Sequence, residues 1–171
     1  MTAPTILVLA FDERGAVPNN PRFPALVYQQ AFAGDRADLA DVMERRFQDH
    51  GWPPAWRNGI YDFHHYHTKG HEVLGIAAGR AELVLGGDGG RAISVSAGDV
   101  LLLPAGTGHC RIEASEDLLV IGAYPPGQSG DIVRDPPTAA MRTAINRLPR
   151  PATDPVFGAD GPLSTHWSDG L

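Results

Sequence analysis

Residues 59–79 read GIYDFHHYHTKGHEVLGIAAG, and residues 98–113 answer them with GDVLLLPAGTGHCRIE. Both are short apolar runs cut by glycine and proline, the pattern of short strands joined by tight turns. Side chains two apart on a strand share a face, so His65 and His67 point the same way. Lys69-Gly70 suits a turn that returns the chain and sets Glu72 beside them. The reversal at 104–108, PAGTG, delivers His109 from a different strand. Imidazoles and a carboxylate together are a ligand set for one divalent metal ion, whether iron, manganese, zinc, nickel or copper. On an octahedral ion they leave open positions for water, substrate or dioxygen.

The same alternation sorts the neighbours. His64 points away from His65 and His67, and His71 away from Glu72. A one-residue slip at the turn would exchange His71 for Glu72, so both residues stand as alternatives for the fourth ligand. Tyr61 and Phe63 share a face with the histidines, while Leu74 and Ile76 share one with Glu72. These predict an apolar cavity around the ion. Arg111 and Glu113 fall on the face of His109, either as a structural ion pair or with Arg111 offering its planar fork to an anionic substrate group. With Glu72 committed as a ligand, the candidates for catalytic work are Tyr61, His71 and Arg111.

Outward from this centre, strands are predicted at 59–67, 72–77, 81–85, 92–95, 100–103, 109–113 and 118–124, with GGDGG at 86–90 as a hairpin loop. Residues 23–32 read as a further strand at a sheet edge, because Pro24 suits such a place. Residues 35–50 carry Leu39, Val42, Met43 and Phe47 at helical spacing, with Asp35 or Asp38 as N-cap and Gly51 as the stop. A shorter helix is predicted over 138–148, with Met141, Ile145 and Leu148 on one face. The chain thus divides into an N-terminal arm, edge strand and helix (1–55), a barrel core (56–125) and a C-terminal arm (126–171), all in one structural domain. The last arm, rich in Pro, Gly and Asp, either packs along the barrel or reaches a second subunit.

Composition narrows the function. A net charge of −6 offers no concentrated basic face for nucleic acid. No apolar run reaches membrane-spanning length, and the run at 6–11 has no basic segment ahead of it. The one cysteine, Cys110, rules out an internal disulfide framework and reads as a small buried hydrophobe, which suits the cytoplasm.

Residues 59–79 fit the first motif of the cupin superfamily, G-x5-HxH-x4-E-x6-G, at every fixed position. Residues 98–113 fit the second, G-x5-PxG-xx-H-x3-N, except that Glu113 replaces the final Asn. More narrowly, WRNGIY, HHYHTKGHEVLG, PAGTGH, VIGAYPPGQ and the late DPVFG resemble the YjlB-like group of small cupins. The resemblance implies a mainly β fold: a single cupin barrel (jelly roll, or double-stranded β-helix), with one N-terminal helix, a short C-terminal helix and extended arms. It implies His65, His67, Glu72 and His109 as metal ligands and a common homodimer. Cupins include dioxygenases, decarboxylases, isomerases and non-catalytic binding proteins, and fold alone does not choose among them. The expectation is a metal-dependent enzyme acting on a small oxygen-rich or anionic metabolite. The alternative is a non-catalytic small-molecule or metal binding protein with a regulatory role. The arms, too poor in apolar residues to stand alone, together with exposed sheet edges predict a homodimer.

Overall fold

Alternation along residues 72–78 divides two cores. Val73 and Ala77 belong to one buried cluster, Leu74 and Ile76 to another. The computed structural model describes residues 3–168. Among them the elements run β1 (Thr5–Leu9), β2 (Ala25–Gln29), α1 (Leu39–Asp49), β3 (Pro54–Asn58), β4 (Glu72–Ala78) and β5 (Arg80–Leu85). They continue with β6 (Arg91–Ser96), β7 (Val100–Leu103), β8 (His109–Ala114), β9 (Leu119–Ala123), α2 (Ala139–Arg147) and α3 (Pro162–His166).

The strands form two antiparallel sheets, a six-stranded one in the order β1-β2-β7-β4-β9-β3 and a three-stranded one in the order β6-β5-β8. This is the mainly β, jelly-roll barrel that the sequence predicts. Between the sheets lie Val27, Leu74, Ile76, Leu83, Leu85, Leu101 and Val120. Each such side chain, taken out of water, contributes about 1.5–3 kcal/mol. The GGDGG hairpin joins β5 to β6, and Gly86, Gly87 and Gly89 all take positive φ there, as its sequence requires.

The second core covers the outer face of the six-stranded sheet. Leu39, Met43 and Phe47 of α1 pack there against Val73, Ala77 and Ile121. Gly75 makes this close approach possible: a Cβ at that position would stand 2.7 Å from the Met43 sulfur. No helix among the described residues is long and apolar enough to cross a membrane.

Three expectations need correction. Strand β2 is not at an edge; β1 covers it on one side and β7 on the other. Asp38 is the N-cap of α1 but makes no capping bond, because Arg36 takes its carboxylate at 2.9 Å. Residues 59–67 are not a regular strand. That stretch forms isolated bridges, His65 with His109 and Tyr66 with Val133, and single backbone bonds from Arg111 N to Tyr61 O and from Gly106 N to His67 O. Of the two courses open to the C-terminal arm, the structure shows the first, packing along its own barrel. Trp167 is fully buried, stacks on Phe23 with centroids 5.0 Å apart, and donates its indole hydrogen to Pro24 O at 2.7 Å. Asp154, equally buried, accepts from Tyr28 Oη at 2.6 Å and from the backbone of Val156, Phe157 and Leu163. The expectation of a dimer then rests on the sheet edges alone.

Candidate metal centre

His65 and His67 are carried by the irregular connection between β3 and β4. His65 N–H donates to His109 O at 3.3 Å, and His109 N–H returns the bond to His65 O at 3.0 Å. That pairing makes the two residues cross-strand neighbours and brings their ring centroids to 4.1 Å. Glu72 opens β4, opposite Leu103. The ring nitrogens of His65, His67 and His109 include a set lying within 4.8 Å of one another, and all three residues are buried. Glu72, also buried, closes the group, with Oε1 at 3.1 Å from His67 Nε2 and 3.5 Å from His109 Nε2.

The backbone fixes each ring. His65 Nδ1 lies 2.9 Å from Phe63 O, His109 Nδ1 lies 3.0 Å from Thr107 O, and His67 Nδ1 rests against Asp131 O. A carbonyl oxygen only accepts, so every Nδ1 carries its hydrogen and a neutral ring presents the Nε2 lone pair to the centre. Lone pairs facing a carboxylate oxygen at 3.1 and 3.5 Å repel. The arrangement therefore calls for a positive charge between them, supplied by a second proton on His67 or by a metal cation. Ligand atoms about 2.1 Å from an ion and at right angles lie about 3.0 Å apart, so the donor set fits a metal.

Protonation follows the same logic. Burial pulls His65 down to about 3, with the neighbouring His109 adding to the effect. Burial also lowers His67, but the Glu72 charge and hydrogen bond outweigh it, and its pKa stands above the ordinary value. Burial would raise Glu72, yet the charge of a protonated His67 beside it holds it well below the usual carboxylate range.

Of the paired alternatives at the turn, Glu72 faces the histidines and His71 does not. His71 is fully buried on the other side of β4, in edge contact with Trp167 at 5.1 Å. Its Nδ1 accepts from Ala105 N–H at 2.9 Å, its Nε2 donates to Pro149 O at 3.1 Å, and burial holds its pKa down at about 4. This environment removes it from the catalytic candidates. His64 turns away as alternation predicts, with Nε2 at 3.9 Å from Asp88.

A cavity of about 550 Å³ opens onto the centre, lined by Trp56, Ile60, Tyr61, Leu74, Arg111 and Tyr124 among others. Tyr61 is 49% exposed at this opening, stacks on Phe63 at 4.9 Å and sets its edge to His65. Arg111 donates through Nε to Ile60 O at 3.0 Å, and its closest carboxylate, Asp62, is at 3.9 Å, beyond a hydrogen bond. Glu113 is not on the face of His109. A register shift pairs Arg111 with Leu83 but Glu113 with Glu82, so a bulge at Ile112 turns Glu113 outward and Ala114 inward.

Two residues at the centre carry no local signal in the sequence. Asp131, from the segment after β9, orients His67 through its carbonyl and holds Thr68 N–H at 2.7 Å through its carboxylate. Tyr124 donates to Glu72 Oε2 at 2.6 Å. Both contacts join positions far apart in the chain, where periodicity is silent.

The chain is 36% identical over 159 residues to "Uncharacterized protein YjlB" of Bacillus subtilis (strain 168), covering 92% of this chain and 93% of that protein. This chain belongs to the YjlB family. A match of that span takes in both glycine-bounded motifs, while the YjlB name carries no reaction with it. No family model matches the chain. Among solved structures, a DUF861 family protein from Thermotoga maritima has 17% identity and a TM-score of 0.33, covering 54% of this chain and 94% of that one. Streptomyces albus HEPD, with 2-hydroxyethylphosphonate and Fe(II) bound, has 12% identity and a TM-score of 0.28, covering 78% of this chain and 23% of that one. Both likenesses are too low to carry an argument about the YjlB family site.

Proposed function

We propose that this YjlB family member is a metal-dependent cupin enzyme acting on a small oxygen-rich or anionic metabolite. The observation that carries the reading is the Glu72 carboxylate oxygen 3.1 and 3.5 Å from the Nε2 atoms of His67 and His109, with each Nδ1 hydrogen already committed to a carbonyl. His65, His67, Glu72 and His109 would hold one divalent ion of iron, manganese, zinc, nickel or copper. When bound, such an ion supplies Lewis acidity or a centre for oxygen chemistry, which covers dioxygenase-, decarboxylase- and isomerase-type reactions.

The chain's own residues do the rest. Arg111, steadied at Nε by Ile60 O, points its remaining N–H groups at an anionic end of the substrate. Trp56, Ile60, Leu74 and Leu118 give the cavity apolar walls that limit bulk water. Tyr61 stands at the opening as the candidate side chain for proton exchange with the substrate.

A binding role without turnover is the second reading. It is favoured by the burial of His71 away from the cavity, which leaves the exposed Glu116 as the carboxylate outside the ligand set that lines it.

Cobalt(II) substitution followed by azide titration tests the first reading. An exchangeable position at the centre predicts a shift of the visible absorption bands as azide binds. Spectra that ignore azide would mean a closed site and would favour the binding role.

A further inference from the structure

We propose that Tyr124 is a positioning residue that restricts Glu72 to one ligating oxygen, and so keeps a coordination position open toward the cavity. The inference rests on the metal reading above. A free carboxylate binds an ion through one oxygen or through both. Here the two oxygens have different partners: Oε1 faces His67 and His109, while Oε2 accepts the Tyr124 hydroxyl at 2.6 Å. That length is typical of a hydroxyl bound to a carboxylate, among the stronger hydrogen bonds of a protein interior. Turning Oε2 toward the centre would break it.

The phenol is itself fixed. Trp56 donates its indole hydrogen to Tyr124 Oη at 3.0 Å. Trp56 opposes Gly122 in the β3–β9 register, and a Cβ at Gly122 would collide with the indole ring. The glycine therefore seats the indole flat on β9 with its N–H aimed at Tyr124. From the other side the backbone at Gly130 closes over the hydroxyl, and a Cβ there would collide with Oη. The hydroxyl spends its hydrogen on Glu72 and accepts from Trp56, which makes it a latch and not a proton-transfer group. Tyr124 also lines the cavity, so the position it keeps free opens toward the substrate.

The test is the water-proton relaxivity of the Mn(II)-loaded full chain, expressed per bound ion, for the parent, Tyr124→Phe and Trp56→Phe. Removing the hydroxyl lets Glu72 chelate and displace a water, so Tyr124→Phe is expected to lose about half of the relaxivity of a site that keeps two of six octahedral positions for water. Trp56→Phe, which loosens the phenol without removing it, loses a smaller share. Melting temperatures separate this from a merely structural role, which would lower stability and leave relaxivity per ion unchanged. Tyr124→Phe with parental relaxivity overturns the inference while the metal reading stands. Should Tyr124→Phe not fold, unchanged relaxivity in Trp56→Phe overturns it instead. A parent that binds no Mn(II), or any other divalent ion, overturns the metal reading and this inference together.

Discussion

The carbonyl of Asp131 accepts the Nδ1 hydrogen of His67, so a residue of the C-terminal arm decides which nitrogen a barrel histidine shows to the centre. The Asp131 carboxylate holds the same connection from below, accepting from Thr68 N at 2.7 Å and Lys69 N at 3.2 Å. Asp131→Ala removes these anchors and frees the connection that carries His67. The backbone carbonyl that accepts from His67 stays, but the turn beside that ring is loosened, and metal affinity is expected to fall by up to about tenfold. Competition against a chelator measures it; parental affinity would show that the Asp131 carboxylate is not needed to hold the ring in place.

Tyr28 and Asp154 tie the other end of the arm to β2 through their 2.6 Å bond. Burial first, then the charge and hydrogen bond of Asp154, raise the Tyr28 pKa well above the ordinary phenol value. A phenol raised on folding contributes stability that is complete below its unfolded pKa of about 10 and is lost as pH climbs beyond it. Chemical denaturation should therefore show stability declining above about pH 10, with a shallower decline in Tyr28→Phe. Equal slopes in the two proteins would contradict the assignment. Asp154→Ala leaves several donors unpaired and should cost about 3 kcal/mol at neutral pH.

Trp167→Ala tests whether the arm belongs to its own barrel. The side chain is fully buried and stacked on Phe23, and truncating such a group costs about 3–5 kcal/mol. A loss below about 1 kcal/mol in thermal unfolding would mean that this packing adds little.

Arg111→Ala should retain the metal and weaken anions. Titration calorimetry with malonate and inorganic phosphate on the metal-loaded protein is expected to show affinity reduced about tenfold or more, given the strength of charge-assisted bonds. Unchanged anion affinity would remove Arg111 from substrate recognition.

What the sequence made legible follows the reach of periodicity. His65, His67, Glu72 and His109 come together as their spacing predicts; Leu74 and Ile76 both turn inward, but of the two only Leu74 lines the cavity. The GGDGG hairpin and the apolar face of α1 were equally readable, because both are local. Glu113 was misplaced because one extra residue at Ile112 reverses the alternation, and no residue type announces a bulge there. The pairing of Tyr66 with Val133, the burial of Trp167 and the roles of Asp131 and Tyr124 depend on segments that meet only when the barrel closes. His71 and Glu72 could not be told apart by spacing alone; the register of β4 against β7 separates them, placing Glu72 opposite Leu103.

The most direct test of the central claim is elemental analysis of protein purified without a metal-affinity step, beside a His65→Ala/His109→Ala double variant. The account predicts close to one divalent ion per chain in the parent and none in the variant. No metal in either protein, even after incubation with divalent ions, would contradict it and leave these histidines as ordinary barrel residues.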